Sequence, residues 1–209
     1  MFLLICLFSI SLASKGTSIY HDTALSTLSC LKSSKLLDFV IRKAVAPYPD
    51  MSCVYTVQEA LNLGLTASNI DILFEPSMTS SESAETQVTN LVNFLKSTNV
   101  AYTRIWYSTY TTWKSSKTEN TAFLEKMMAK AISLGKAGIV GSKEMWSTNF
   151  GASYTYKDAA SVPLWYVSPD GDASFGNFVA FGGWSKPTMK TYEKNVWYCS
   201  LTEDLVYRA

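Results

Sequence analysis

From Gly16 to the carboxyl end, short apolar runs alternate with stretches of helical periodicity, and few folds accommodate that pattern. The runs fall at residues 17–20, 37–42, 70–74, 102–107, 137–140, 164–167, 190–192 and 205–207, a set of eight. Between them, segment 24–32 places Leu25, Leu28 and Leu31 on one face, and segment 84–96 aligns Val88, Leu91, Val92 and Leu95. Segment 121–134 does the same with Leu124, Met127, Met128 and Ala131, and a further helix is predicted over 57–63, ending at Gly64. These stripes are core-facing surfaces. Strand and helix in alternation predict an α/β fold with a mostly parallel sheet, and eight strands fit a closed barrel. A chain of 209 residues, 47% apolar, builds one sizeable core, so residues 16–209 are expected to form a single irregular (β/α)8, TIM-like domain. After Trp146 the helical signal fades, and 149–161 and 168–184 read as long loops rich in Gly, Ser and aromatics.

Residues 1–13 are almost wholly apolar and end in Ser11-Leu12-Ala13, with small side chains where a signal peptidase reads. They predict a secretory leader; the alternative is a buried element of the mature fold. No later run approaches the ~20 apolar residues of a membrane helix, so the product is expected outside the cell and off the membrane. Eighteen basic residues against 17 acidic ones give a net charge of +1, spread rather than clustered, which argues against nucleic acid as a partner. The chain is expected to act as a monomer. Loss of Cys6 with the leader leaves Cys30, Cys53 and Cys199, which suggests one bridge and one free thiol. Cys30 lies in the helix after the first strand and Cys199 just before the last, so closure of the barrel favours a Cys30–Cys199 bridge. No cysteine pair has zinc spacing and His21 is the only histidine, so no metal site is predicted.

Three segments near the carboxyl end are too patterned for generic loop: Pro163-Leu164-Trp165-Tyr166, Asp170-Gly171-Asp172-Ala173-Ser174-Phe175 and Phe181-Gly182-Gly183-Trp184-Ser185-Lys186-Pro187. Together with Arg104-Ile105-Trp106 and Glu144-Met145-Trp146-Ser147, they make the chain resemble the family 25 glycoside hydrolases, the secreted lysozymes, and most of all their nematode branch. The resemblance implies a peptidoglycan substrate, a role in innate antibacterial defence or bacterial digestion, and chemistry that uses carboxyl groups and water with no cofactor. It also implies an Asp-x-Glu pair at the end of the fourth strand, where alternate residues share one face and point into the cleft. Ser108 and Tyr110 occupy those two positions here. A tyrosine hydroxyl, with an ordinary pKa of about 10, is a poor acid for a sugar leaving group, and serine cannot hold the charge that develops. Loss of one well-placed general acid typically costs ~10² to 10⁴ in rate.

Among the family's other acids, Asp204 in Leu201-Thr202-Glu203-Asp204-Leu205 matches a last-strand aspartate that borders the cleft. The first-strand aspartate falls on Ser18 if the helix bearing Cys30 is aligned without gaps, and on Asp22 if the intervening turn is shorter. Glu75, in Phe74-Glu75-Pro76, is a candidate replacement acid, since partial burial beside aromatics favours a protonated carboxyl; the alternative is a solvated loop residue. Asp204, Asp22 and Glu75 are therefore the catalytic candidates. Glu144, Asp170 and Asp172 read as turn residues. Aromatic rings offer flat contact to sugar faces, and Tyr110, Trp146, Trp184 and Tyr166 are the candidates for glycan binding, with Trp106 and Trp165 expected in the core. Three readings follow: a lysozyme-like protein that turns over peptidoglycan, a catalytically impaired member that binds cell-wall glycan through its aromatic cleft, and a secreted signalling or scaffold protein that keeps only the barrel; the absent acid pair favours impaired over competent catalysis. A cleft filled by its own tyrosines would mark the third.

Overall fold

In the computed structural model, which describes residues 13–46, 49–110 and 113–209, eight strands close a barrel in chain order. The leader expected over residues 1–13 lies, Ala13 aside, outside the described residues. The strands are β1 (Ser14–Ile19), β2 (Phe39–Val45), β3 (Ile70–Glu75), β4 (Arg104–Ser108), β5 (Ala137–Gly141), β6 (Leu164–Val167), β7 (Met189–Tyr198) and β8 (Leu201–Arg208). Helices α1 (Leu25–Ser33), α2 (Met51–Asn62), α3 (Ala84–Ser97) and α4 (Lys117–Leu134) follow the first four strands, and a short α5 (Lys143–Asn149) follows β5. Three of the four longer helices start on a side-chain cap, from Asp50, Ser83 and Ser116, each accepting a backbone N–H of the first turn.

Pairing is parallel from β1 to β7, and β8 returns antiparallel between β7 and β1. The reversal needs no crossover helix because Cys199 and Ser200, both at positive φ (51° and 64°), turn the chain in two residues. This last pair extends further than the sequence pattern predicts. The segment between Glu193 and Glu203 carries Val196-Trp197-Tyr198 as a run without apolar alternation, and it is paired strand that projects past the barrel as a hairpin. Helix α5, with only seven residues, is too short for a periodic signal; its start is fixed by Ser142, whose hydroxyl accepts the Met145 N–H.

Side-chain alternation divides the core into two shells. Phe39, Ile41, Leu73, Trp106, Trp165 and Val206 fill the barrel, while Leu28, Leu31, Val88, Leu91, Leu124 and Met127 pack helices on its outside. Trp106 fits inside because position 138 is glycine: a Cβ there would stand 2.4 Å from its ring. Its indole meets Trp165 edge-on with centroids 6.0 Å apart, and both ring N–H groups are used, Trp106 donating to Asp71 and Trp165 to Thr191, each at 2.9 Å. The interior is thus solid up to its carboxyl rim.

Two devices fix the segments around that rim. Cys30 in α1 is disulfide-bonded to Cys199 at the hairpin turn, and Cys53 is a buried free thiol. Lys190, with its side chain wholly buried on the outer face of β7, donates to an Asp170 carboxylate oxygen at 2.9 Å, the Asp172 carbonyl at 2.8 Å and the Asn177 side-chain oxygen at 3.2 Å. The Asp170-Gly171-Asp172 turn is therefore wrapped around a buried cation, which explains a spacing too regular for free loop.

Candidate active site at the barrel mouth

Residues of the inner face that reach the carboxyl ends of the strands converge on one small chamber. Tyr20 just beyond β1, Glu75 ending β3, Ser108 and Tyr110 at the end of β4, Thr191 and Lys194 on β7 and Asp204 on β8 line it, over a floor that includes Leu73, Val140 and Trp165. Its free volume is about 60 Å³, far below the ~300 to 1,000 Å³ of ordinary ligand pockets. The mouth is filled by the chain's own tyrosines. A wider groove of about 360 Å³ opens beside it, shared through Glu75 and Tyr110 and walled by Val45, Ser77, Met78 and Thr79.

Asp204 sits where alternation along β8 requires, two residues from the interior Val206, and both of its oxygens are taken. Oδ2 accepts the Tyr20 hydroxyl at 2.5 Å and Oδ1 accepts the Asn195 backbone N–H at 3.0 Å. Burial, reinforced by the charge of Asp204, holds the Tyr20 phenol far above its ordinary pKa, so it remains a donor. Directly across the β1–β8 ladder from Asp204 stands Ser18, fully buried. Ser108, also buried, accepts the Tyr110 N–H at 3.0 Å. The Tyr110 hydroxyl is pushed up to about 12 by burial, with the charge of Glu144 adding to the effect, so it is a weaker acid than free tyrosine. Two lysines close the rim over the rings: Lys194 lies 4.7 Å from the Tyr110 centroid, and Lys43 lies 5.1 Å from that of Tyr20. Lys43 also pairs with Glu75 at 2.8 Å. Glu75 and Asp204 therefore border one chamber, but one is tied to a lysine and the other is capped by a tyrosine.

Several residues expected at this site lie elsewhere in the fold. Asp22 lies outside the chamber with its side chain 66% exposed, 3.8 Å from Arg42, whereas Ser18 is buried directly across the ladder from Asp204. Trp146 and Trp184, expected against glycan, are corrected to buried packing residues of the outer shell, and Tyr166 is half-buried against that shell. Trp146 is wholly buried on α5 and donates to the Tyr154 carbonyl at 2.9 Å, and Trp184 donates to the Val162 carbonyl at 2.7 Å. Their ring centroids are 5.0 Å apart. Tyr166 alternates outward from Trp165 and meets Phe178 edge-on at 5.1 Å. Of the four aromatic candidates, Tyr110 is the one that lines the chamber.

Glu203 is the group the sequence did not mark. It lies on the outer face of β8 beside Asp204, fully buried, with neither carboxylate oxygen hydrogen-bonded. Burial, and then the charge of Asp204, raise its pKa from 4.5 to about 8. The folded chain thus keeps this proton where the unfolded chain releases it, and stability falls as pH rises from about 4.5 to about 8, then levels. At about 1.4 kcal/mol per unit, discounted for relaxation, the loss is on the order of 3 kcal/mol. Thermal unfolding across that window should show Glu203→Gln matching wild type near the acid end and exceeding it at the alkaline end; parallel profiles would remove Glu203 as the cause.

The barrel and its rim define the class: a (β/α)8-type fold with its polar side chains gathered at the carboxyl ends of the strands. A family model described as lysozyme-like protein 1 matches residues 11–192. The probable GH family 25 lysozyme 2 of Dictyostelium discoideum is 30% identical over 197 residues, 92% of this chain and 90% of its own length. Lysozyme-like protein 5 of Caenorhabditis elegans is 28% identical, over 95% of this chain and 93% of its own. Among solved structures, a muramidase from Trichobolus zukalii superposes with a TM-score of 0.71 at 18% identity, covering 94% of this chain and 93% of that one. The chain belongs to the glycoside hydrolase family 25 lysozyme-like proteins.

Proposed function

We propose that this protein is a secreted, lysozyme-like binder of bacterial cell-wall glycan, serving antibacterial defence or digestion, in which hydrolysis is lost or severely impaired. One observation carries the reading. The positions that the resemblance assigns to the family's acids hold Ser108, Tyr110 and, facing Asp204 across the β1–β8 ladder, Ser18, and the acid that is left, Asp204, has both oxygens occupied. Glycosidic cleavage needs a protonated carboxylic acid at the leaving oxygen and a second carboxylate at the anomeric centre or its water. A phenol held at about 12 donates its proton too poorly for the first task, and a serine supplies no charge for the second. Glu75 borders the same chamber, but Lys43 holds it and the chamber is too small for a sugar ring. What is left for a glycan is the rim: the groove beside Glu75 and Tyr110, and the wall opposite.

The test is co-sedimentation of the purified protein with insoluble peptidoglycan. The expected result is saturable binding without new reducing ends in the supernatant. A second reading, a secreted scaffold that retains only the barrel, has the tyrosine-filled chamber in its favour. Absence of any sedimentation at saturating wall material would select it.

A further inference from the structure

We infer that Trp197 is a sugar-stacking platform on the hairpin wall of the mouth, a contact for one pyranose ring of the peptidoglycan strand. The inference rests on the glycan-binding reading above and names where that binding is anchored.

The geometry of β7 and β8 places the indole. Trp197 pairs with Thr202 in the antiparallel ladder, and Thr202 is two residues from Asp204, so all three lie on one face of the hairpin. That face is the inner one, since Asp204 lines the chamber, whereas Leu201 on the alternate face packs against the outer core. Trp197 therefore continues the chamber wall upward from Asp204, beyond the rim. In the ring order of strands, β7 and β8 stand opposite β3 and β4, so the indole faces the groove at Glu75 and Tyr110 across the mouth. A glycan strand laid over the filled chamber would meet both walls.

Exposure sets Trp197 apart. It is 70% exposed, while Trp106, Trp146, Trp165 and Trp184 are all at or below 3%. An indole left in water gains by burying its face, at about 25 cal/mol per Å² of apolar surface, and the C–H face of a pyranose is an amphipathic match for it. The platform is also pre-set. The Cys30–Cys199 bond pins the hairpin turn to α1, and the Asn195 N–H on Asp204 pins its root, so little conformational freedom remains to be lost on binding.

Soluble peptidoglycan fragments from sonicated walls are the probe; titration calorimetry reads binding in wild type and variants, and acrylamide quenching of tryptophan fluorescence reads shielding of the indole in wild type. Wild type is expected to bind and to lose most of its quenchable emission as it does. Trp197→Ala should bind about tenfold more weakly with an unchanged unfolding midpoint, and Trp197→Phe should recover to within about threefold, as a stacking role requires. Equal binding by wild type and Trp197→Ala would overturn the inference and leave the functional reading intact. Shielding of the indole by anionic phospholipid vesicles instead of glycan would also overturn it, making the hairpin a lipid contact. No binding by wild type would sink the functional reading and this inference together.

Discussion

Ser108→Asp combined with Tyr110→Glu is expected to raise the release of reducing ends from peptidoglycan by about 10² to 10⁴ over wild type. Both positions are on the inner side of the fourth strand's end, and both already line the chamber. The substitutions do two things at once. Removing the Tyr110 ring opens a chamber of about 60 Å³, and the new glutamate, set beside Val140 and Trp165, sits where partial burial favours the protonated acid. The new aspartate supplies the opposing charge on the same face. Each single substitution should give far less, because an acid and its partner act as a unit. Adding Tyr20→Phe frees the Asp204 oxygen that the phenol now caps and should raise the rate further. A double variant that folds like wild type yet releases no more reducing ends would remove the fourth strand as the cause of the proposed loss of activity.

Gly182→Ala should destabilise the fold by about 3 kcal/mol, which for a chain of this size lowers the unfolding midpoint by about 6 to 12 °C. Position 182 has φ +59°, where an L side chain is strained by about 1 kcal/mol. Its Cβ would also stand 2.7 Å from the Trp184 ring and 2.8 Å from the Trp146 ring. Neither indole can yield freely, since each donates its N–H to a loop carbonyl, at Val162 and Tyr154. Gly171→Ala is the control: φ is +78° there, but no atom lies within 4 Å, so backbone strain alone acts and the loss should be about 1 kcal/mol. Equal losses at the two sites would mean that the aromatic shell around 182 is softer than its packing suggests.

The same aromatic shell shows where sequence reading stops. Apolar runs and helical stripes are legible because burial repeats along them with a fixed period, and the eight strands stand where that period predicts them. The missing Asp-x-Glu is legible for a similar reason: Ser108 and Tyr110 share a strand face whatever surrounds it. A tryptophan carries no such label. Trp146, Trp184 and Tyr166 are large and flat, with one polar atom each, which suits a sugar and a core equally; only the carbonyls that receive the indole N–H groups and the rings packed around them decide the matter. The hairpin was hidden because Val196-Trp197-Tyr198-Cys199 run consecutively with no apolar alternation, and the pairing and the Cys30–Cys199 bond that define it join residues that local periodicity does not link. The capping of Asp204 by Tyr20 joins residues 184 positions apart, a contact no local pattern encodes.

Turnover by the unaltered protein decides between binding and cleavage. Purified wild type, incubated with insoluble peptidoglycan from about pH 4 to about pH 9 to cover any shifted acid, should be found on the wall with no new muropeptides in solution by mass spectrometry. Soluble fragments carrying fresh reducing ends, and abolished by Asp204→Asn or Glu75→Gln, would show a working acid pair in the chamber and contradict the proposed loss of catalysis.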